Sequence, residues 1–424
     1  MESTIKKLWN RNFSLIVIGQ FMSIFGNQVL NFALPLYILD ISGSSALYGL
    51  VLGLPFLSLL IMSPIGGIMA DRLKKQMILF WLDITTTVII VLYMIISGMF
   101  ATIVPIVIVK LLALNAIQGM YMPASESSIP VLVPSDKLIT ANSVNGIGNA
   151  LSNLAAPAVA GILLGAFGLF PILMISAVCF AFTAIMDLFI RIPYKKQSTS
   201  GSVIQIVKGD ISQAYRFVVK EKPILAKYAI ILFLFTMTLI SMFLVGLPVL
   251  ITQFLGMSME YAGISKGIAV FGLLVGSIVT GTLGERITIT KGHLPLIVCS
   301  MLAIPMGVIF LLDISNFTAY VMITVISAFL MMIWPFFNIP LMAFMQKITP
   351  TELVGKVFSF LSVLPFLAMG LGQVIFGVLF EQFSETPWFV IFANVVVATI
   401  IALFSHRHFK EARVELVNSM HNQK

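Results

Sequence analysis

The sequence predicts an all-α membrane protein. Apolar residues make up 59% of its 424 positions and charged residues only 10%. The apolar residues fall into blocks of about twenty, the length that carries an α-helix across a ~30 Å hydrocarbon core. These blocks run unbroken through Leu, Ile, Phe, Val and Met, whereas a membrane β-barrel would show ~10-residue segments of alternating polarity.

Taken in chain order, twelve spans are predicted: 13–38, 46–70, 77–98, 103–124, 140–165, 169–190, 228–252, 260–283, 293–312, 317–343, 354–380 and 387–405. Pro and polar residues blur the boundaries around 123–140 and 341–356. The segment MESTIKKLWNRN leads into the first span, whose apolar run is too long for a signal-peptide core and lacks a small-residue cleavage site. It is read as a span retained in the protein.

Cation placement sets the expected orientation, because Lys and Arg in short loops stay on the cytoplasmic side. With the N-terminus inside, 23 of the 25 Lys and Arg fall in cytoplasmic segments, and the other two, Lys110 and Lys266, lie within spans. The external loops hold only the acids Asp40, Glu260, Asp313, Glu381 and Glu385. Both termini are therefore expected in the cytoplasm of a multi-pass protein of the cell membrane. The net charge of +8 reports topology, and no basic domain suggests a nucleic-acid partner.

Several function classes drop out. Cys179 and Cys299 both lie in predicted spans, which suggests neither a disulfide framework nor a metal site. His293, His406, His408 and His421 sit at span ends or in the tail, with no nucleophile–base or metal spacing. No cofactor is expected, and an enzyme is disfavoured.

The one sizeable polar segment, 191–227, contains SVIQIVKGDISQAYRFVVKEK. Val203, Ile206, Val207, Ile211, Tyr215 and Val218 fall near one helical face, which predicts an amphipathic helix lying against the membrane. This linker separates two related halves. GGIMADR at 66–72 recurs as TGTLGER at 280–286, so that Gly67 maps to Gly281 (offset 281−67, or 214), Asp71 to Glu285 and Arg72 to Arg286. Leu34-Pro35 maps to Leu247-Pro248 at an offset of 213, the Tyr48/Gly49 region to Tyr261/Gly263, and Pro134-Ser135-Asp136 to Pro350-Thr351-Glu352 at 216. The expected organisation is a six-helix bundle over 1–190, a cytoplasmic linker over 191–227, a second six-helix bundle over 228–405 and a cytoplasmic tail over 406–424. A parallel repeat of this kind places a pseudo-two-fold axis along the membrane normal and a substrate site between the halves.

GGIMADRLKKQ resembles the loop signature between spans two and three of the major facilitator superfamily, with Lys74 in place of its usual second Gly. PASESSIPVLVPSDKLITANSVNGIGN at 123–149, taken with NIPLMAFMQKITPTELVGKVFSF at 338–360, resembles the drug/proton antiporter branch that includes macrolide-efflux-type and siderophore exporters. The resemblance covers nearly the whole chain. It implies the twelve-helix major facilitator fold and assigns Gly67, Asp71, Arg72, Lys75, Gly281, Glu285 and Arg286 to a gating motif. Asp71 would meet the positive end of a helix of the opposite half, favouring the outward-open state, while Arg72 and the lysines pair locally. The bland alternative is that these cations only mark an inside loop.

Polar residues inside spans are the candidate pathway. Gln20, Ser23, Asn27 and Asn31 form one stripe on span one, which lines the cavity in the resembled superfamily. Asn142, Asn145, Asn149 and Asn153 form another on span five, running towards Ala156-Pro157 and Ala160-Gly161. That portion resembles the antiporter signature of a Gly-Pro pair followed by Gly-Gly, with two glycines replaced by Ala. Both stripes are equally compatible with helix–helix bonding. On span ten, Trp334, Asn338 and Gln346 stand among Met and aromatic residues that could adapt to a bulky apolar ligand, or simply pack.

Ionisable residues within the bilayer are costly and mark function by default. Lys110 and Asn115 of span four are added to the cavity candidates, with Asn115 standing where relatives often carry Arg. Lys266 is read as snorkelling to the interface. Asp83 and Asp187 are the proton-coupling candidates. Asp83 is two turns deep in span three, where a carboxyl suits proton binding, and Asp187 is also read as an i,i+4 ion pair with Arg191. The expected function is export of an amphipathic, drug-like or macrolide-like small molecule by alternating access, in exchange for protons, by a monomer in the lipid bilayer. A lipid or lysolipid translocator and a substrate–proton symporter remain open.

Overall fold

In the computed structural model the chain is described over residues 9–97, 104–134, 137–192, 203–287, 289–350 and 352–421, and every regular element among them is helical. Eleven helical stretches are long and apolar enough to cross a membrane: Arg11–Ser42, Ser45–Ala70, Lys75–Ile96, Val104–Leu132, Thr140–Phe167, Leu169–Phe189, Pro223–Phe254, Met259–Leu283, Asn316–Ile348, Val354–Gln382 and Pro387–Phe409. A shorter apolar stretch, His293–Ile309, stands where the ninth span is predicted. Each of the twelve predicted spans thus has a helical counterpart.

In chain order the helices are α1 (Arg11–Ser42), α2 (Ser45–Gly53), α3 (Pro55–Arg72), α4 (Lys75–Ser97), α5 (Val104–Glu126), α6 (Ile129–Leu132), α7 (Leu138–Phe167), α8 (Leu169–Phe189), α9 (Val203–Tyr215), α10 (Pro223–Phe235), α11 (Ser241–Val249), α12 (Met259–Leu283), α13 (His293–Leu302), α14 (Ile304–Ile309), α15 (Asn316–Ile333), α16 (Pro335–Ile348), α17 (Val354–Gln382) and α18 (Pro387–His421). Proline accounts for most of the subdivisions. Pro55, Pro305 and Pro335 stand in the first turns of α3, α14 and α16, where the missing N–H costs least but the preceding turn is interrupted. Span seven is broken differently, by two wider i→i+5 turns at Thr236–Ile240 and Leu250–Phe254. Ser241 Oγ donates to the Thr236 carbonyl at 2.8 Å and satisfies a group the wider turn frees.

The repeat reaches the backbone. Gly43, between α1 and α2, has φ +64°, and Gly256, ahead of α12, has φ +62°. They lie 213 positions apart (256−43), the offset already seen for Leu34-Pro35. Both turns need the left-handed conformation that glycine adopts without steric cost.

The chain forms two compact units, and each recruits a short segment from the other half of the sequence. Unit 1 comprises Met1–Ser42, Leu54–Gly201 and Met259–Gly267; unit 2 comprises Gly43–Gly53, Ser202–Ser258 and Ile268–Lys424. Glycine makes the recruitment feasible. In unit 1 a Cβ on Gly263 would lie 2.7 Å from the Gly161 Cα and 2.5 Å from the Pro157 carbonyl. In unit 2 a Cβ on Gly49 would lie 2.8 Å from the Gly377 Cα and would overlap the Gln373 carbonyl. Such backbone contact between membrane helices requires small residues.

Unit 1 packs α1 on α7 and α8, α3 on α5, and α4 on α8, around a core that includes Phe13, Leu79, Tyr121, Ile129 and Ile190. Unit 2 has an aromatic centre: Tyr228 stacks on Phe409 at 5.2 Å and meets Phe344 edge-on at 5.4 Å, while Phe337 meets Phe409 at 6.1 Å.

The linker helix matches its expected face in part, with Val218 buried. The side chains of Val203, Ile206 and Val207 lie outside the described residues, but Ile211 and Tyr215, predicted on the apolar face, are half exposed. The buried positions are Ala214, Phe217 and Val218. A wider turn over Arg216–Glu221 follows α9, so a 3.6-residue period does not carry through the segment. The helix docks on α17 through Lys356, which meets Asp210 at 2.8 Å and Gln213 at 2.7 Å, with Tyr215 edge-on to Phe360.

Candidate functional site

Four helices of unit 1 converge on a cluster of Ser23 (α1), Asp83 (α4), Tyr121 (α5) and Asp187 (α8). Asp83 is 1% exposed and Asp187 2%. Ser23 Oγ donates to Asp83 Oδ1 over 3.4 Å. The two carboxyls lie close enough to interact electrostatically, and Tyr121 lies near both. Two carboxylates cannot donate to one another, and the Oδ2 atoms of both have no donor among the described residues. Two adjacent buried carboxylates repel each other, and one proton held between them would cut the charge of the pair from two to one.

The spacing that suggested an Asp187–Arg191 ion pair does not survive. α8 ends at Phe189, and Ile190 is extended, with φ −76° and ψ 140°, so Arg191 is off the helix and the i,i+4 geometry is lost. Arg191 is exposed, and its backbone N–H donates to Asn12 Oδ1 at 3.1 Å. α8 is held to α4 by Gln76, whose Nε2 donates to the carbonyls of Asp187 and Leu188 at 3.0 and 3.2 Å.

Other polar residues of unit 1 bond across helices. Asn115 Nδ2 donates to Asn31 Oδ1 at 3.3 Å and to the Leu111 carbonyl at 3.0 Å. Asn153 Oδ1 accepts from Gln28 Nε2 at 2.5 Å. Asn149 Nδ2 donates back to Asn145, and Asn153 Nδ2 to Asn149. Gln20, Ser23 and Asn27 are buried, and Gln20 Oε1 has no hydrogen-bond partner among the described residues.

Lys110 is 4% exposed. Its Nζ sits 3.9 Å from the centroid of the Tyr93 ring and has no hydrogen-bond partner among the described residues, so its contact there is cation–π. Lys266, on the part of α12 that belongs to unit 1, is half-buried.

On span ten, Trp334 stands at the break between α15 and α16 and stacks on Phe235 at 5.8 Å with planes 8° apart. Asn338 is half-buried and Gln346 exposed, whereas Phe337 and Phe344 belong to the aromatic core. In the motif loops, Lys75 Nζ donates to the Ser127 carbonyl at 2.7 Å, tying the α3–α4 turn to the end of α5. The side chains of Asp71 and Glu285 lie outside the described residues, and Arg72 and Arg286 are exposed. A Cβ on Gly67 or Gly281 would meet nothing within 4 Å.

Tyr121, Gln28 and Tyr93 join the site without having been singled out in the sequence. An amphipathic Tyr or an extra Gln inside a span is a signal, but neither falls on the stripes that periodicity selects. Glu381 is a fourth: it accepts from Ser44 Oγ and from the Ala46 N–H, the latter at 2.9 Å, while Gln253 Nε2 donates to the Gly43 carbonyl at 2.8 Å. These bonds hold the start of α2 within unit 2.

Known proteins match this architecture along nearly its whole length. Macrolide efflux protein A of Streptococcus pyogenes is 22% identical over 401 residues, covering 93% of this chain and 95% of that protein. Multidrug resistance protein MdtG of Salmonella paratyphi C is 30% identical over 184 residues, covering 41% of this chain and 44% of that one. Among solved structures, the nucleoside transporter NupG superposes with a TM-score of 0.74 at 16% identity, covering 94% of this chain and 100% of that chain. A bacterial homolog of the human lysosomal transporter Spinster gives 0.67 at 16%, covering 96% and 94%. The family profile that matches residues 16–364 is that of the Major Facilitator Superfamily; the chain belongs to this superfamily and is a membrane transporter, not an enzyme.

Proposed function

We propose that the protein is a drug-efflux transporter that moves amphipathic small molecules out of the cell by alternating access, in exchange for protons entering. The full-length similarity to macrolide efflux protein A supports the efflux reading. The buried Asp83–Asp187 pair is the observation that carries the coupling. A carboxyl pair holding one proton is stable while dry. Hydration on one side of the membrane releases that proton, and burial favours taking it up again. Ser23 and Tyr121 connect the pair to α1 and α5, helices that also carry Asn31, Asn115 and Lys110. Those residues, with Asn149, Asn153, Trp334 and Asn338, are the candidate substrate contacts. Charge placement supports a cytoplasmic location for both termini.

Purified protein in liposomes, with a pH difference as the only energy source, tests the proposal against a panel of macrolides and cationic dyes. Accumulation of at least one compound against its gradient, abolished by Asp83→Asn, is expected. Undiminished accumulation by that variant would move the coupling elsewhere. Orientation is tested with single cysteines: Ser42→Cys should react with an impermeant maleimide from outside the cell, and Ser212→Cys should not.

A further inference from the structure

At one end of unit 1, Arg11, Asn12, Leu188, Phe189 and Arg191 line a cleft of about 340 Å³. Two arginines from separate segments line one space, one from the first turn of α1 and the other from just beyond α8. Neither is paired with a carboxylate among the described residues, and both are exposed. Asn12 does not compete for an anion through its Oδ1, which already accepts the Arg191 N–H at 3.1 Å. That bond pins the two segments together and fixes the width of the cleft. Leu188 is 52% exposed and Phe189 56%. Trp9, 58% exposed, stands nearby in the chain and packs on Phe13 at 5.6 Å.

The depth of the cleft is set by where it lies on the helices. Arg11 opens the first span and Arg191 follows the end of the sixth, so both sit at the boundary between hydrocarbon and water, where Trp is also enriched. Arg offers a planar fork of donors that matches phosphate oxygens in pairs. The exposed Leu188 and Phe189 side chains beside it suit acyl chains. A purely polar anion would gain nothing from that apolar flank, and a neutral lipid nothing from two guanidiniums. We propose that this cleft binds the phosphate headgroup of an anionic phospholipid from the adjacent leaflet, with its acyl chains laid against Leu188 and Phe189. Basic pockets at helix ends are a physical basis for lipid-headgroup recognition. The bound lipid bridges α1 and α8, the two helices that contribute Ser23 and Asp187 to the carboxyl cluster.

The experiment uses the purified full-length protein in neutral detergent and measures its thermal midpoint as phosphatidylglycerol, phosphatidylcholine or inorganic phosphate is added. Phosphatidylglycerol should raise the midpoint in a saturable way, with phosphatidylcholine and inorganic phosphate giving little change. Arg11→Gln combined with Arg191→Gln should weaken the apparent affinity for phosphatidylglycerol by about tenfold or more, as expected for loss of charge-assisted bidentate bonds. Arg191→Gln alone, which leaves α1 untouched, should lose part of the effect and serves if the double variant does not fold. An equal shift with phosphatidylcholine would show that headgroup charge is not read. An equal shift with inorganic phosphate would make this a soluble-anion site, and a full phosphatidylglycerol response in the Arg variants would place the lipid elsewhere; each of the three overturns the proposal.

Discussion

Gly49 of α2 and Gly377 of α17 lie backbone against backbone, with the Gly377 Cα 2.8 Å from where a Gly49 side chain would begin. The same contact occurs a second time. Gly263 corresponds to Gly49 at an offset of 214 (263−49), Gly377 corresponds to Gly161 at 216 (377−161), and a Cβ on Gly263 would lie 2.7 Å from the Gly161 Cα. The flanking carbonyls correspond as well: Gln373 faces Gly49 as Pro157 faces Gly263. Even the acids are related. Glu381 binds the start of α2, and its counterpart 216 positions earlier is Gly165, where a Cβ would press on Glu260 of α12 at 2.6 Å. Two copies of one crossing therefore attach α2 to unit 2 and the first turns of α12 to unit 1.

Neither crossing tolerates a side chain, which gives a direct prediction. Gly49→Leu must push α2 away from α17, because the atoms it meets are backbone and cannot rotate aside. Overpacking of this kind costs about 1–3 kcal/mol, enough to shift a two-state equilibrium by roughly 5- to 150-fold. Ser45 is 2% exposed in the present structure. Maleimide labelling of Ser45→Cys should speed up when Gly49→Leu is added, and Gly263→Leu should loosen the matching crossing. An unchanged labelling rate would mean that the crossing yields without opening.

The proposed sharing of one proton makes a second prediction about Asp83 and Asp187. Either Asn substitution breaks the unit, so Asp83→Asn, Asp187→Asn and the double variant should lose proton-driven accumulation to a similar degree, about tenfold or more, as expected of strongly coupled residues. Downhill substrate exchange should persist, since Asn keeps the shape and can hydrogen-bond. Proton release on substrate binding, followed with a pH dye in weak buffer, should vanish in all three variants. Additive losses would assign the two acids to separate tasks.

The helices were legible in the sequence because burial in a bilayer imposes length and polarity locally, and no distant residue is needed to read a block of apolar side chains. The partner of Asp187 was not legible. It lies 104 positions away in Asp83 (187−83), and only the packing of α4 on α8 brings them together. The local rule pointed to Arg191, but α8 stops too early for that rule to apply. The span-one stripe was legible as far as Ser23 and Asn31, which bond to Asp83 and Asn115. Gln28 lies off that stripe and turns to Asn153 on α7. The linker helix was legible in part, since Val218 of the expected face is buried while Ile211 and Tyr215 are half exposed.

Lys110 carries a stability prediction that separates packing from function. Its ammonium is buried on the Tyr93 ring without a hydrogen-bond partner among the described residues. A desolvated cation–π contact contributes about 2 kcal/mol, while burying an unpaired charge costs several kcal/mol. Lys110→Met keeps the length of the side chain and removes the charge, so its thermal midpoint should equal or exceed that of the wild type while export falls. A clear loss of stability with full transport would make Lys110 a packing residue.

The repeated motif supplies the last prediction. Gly67 and Gly281 occupy equivalent positions, and a Cβ added at either would meet no described residue of another segment within 4 Å. Packing in this structure does not require glycine there, in contrast to Gly49 and Gly161. The alternating access proposed above would supply a second state, and if the motif loops close on another surface in it, a side chain at residue 67 would obstruct them. Gly67→Val should therefore leave folded yield nearly unchanged, apart from the helix-propensity difference of under about 1 kcal/mol, yet slow transport strongly. If Asp71 is the proposed latch, Asp71→Asn should have the same profile, because such a carboxylate biases a state without touching the ligand. For both variants, substrate affinity measured by binding to the purified protein should stay within a few-fold of wild type, while the rate of uphill transport in liposomes drops. A loss of affinity in proportion to transport would show instead that these residues serve the substrate site directly.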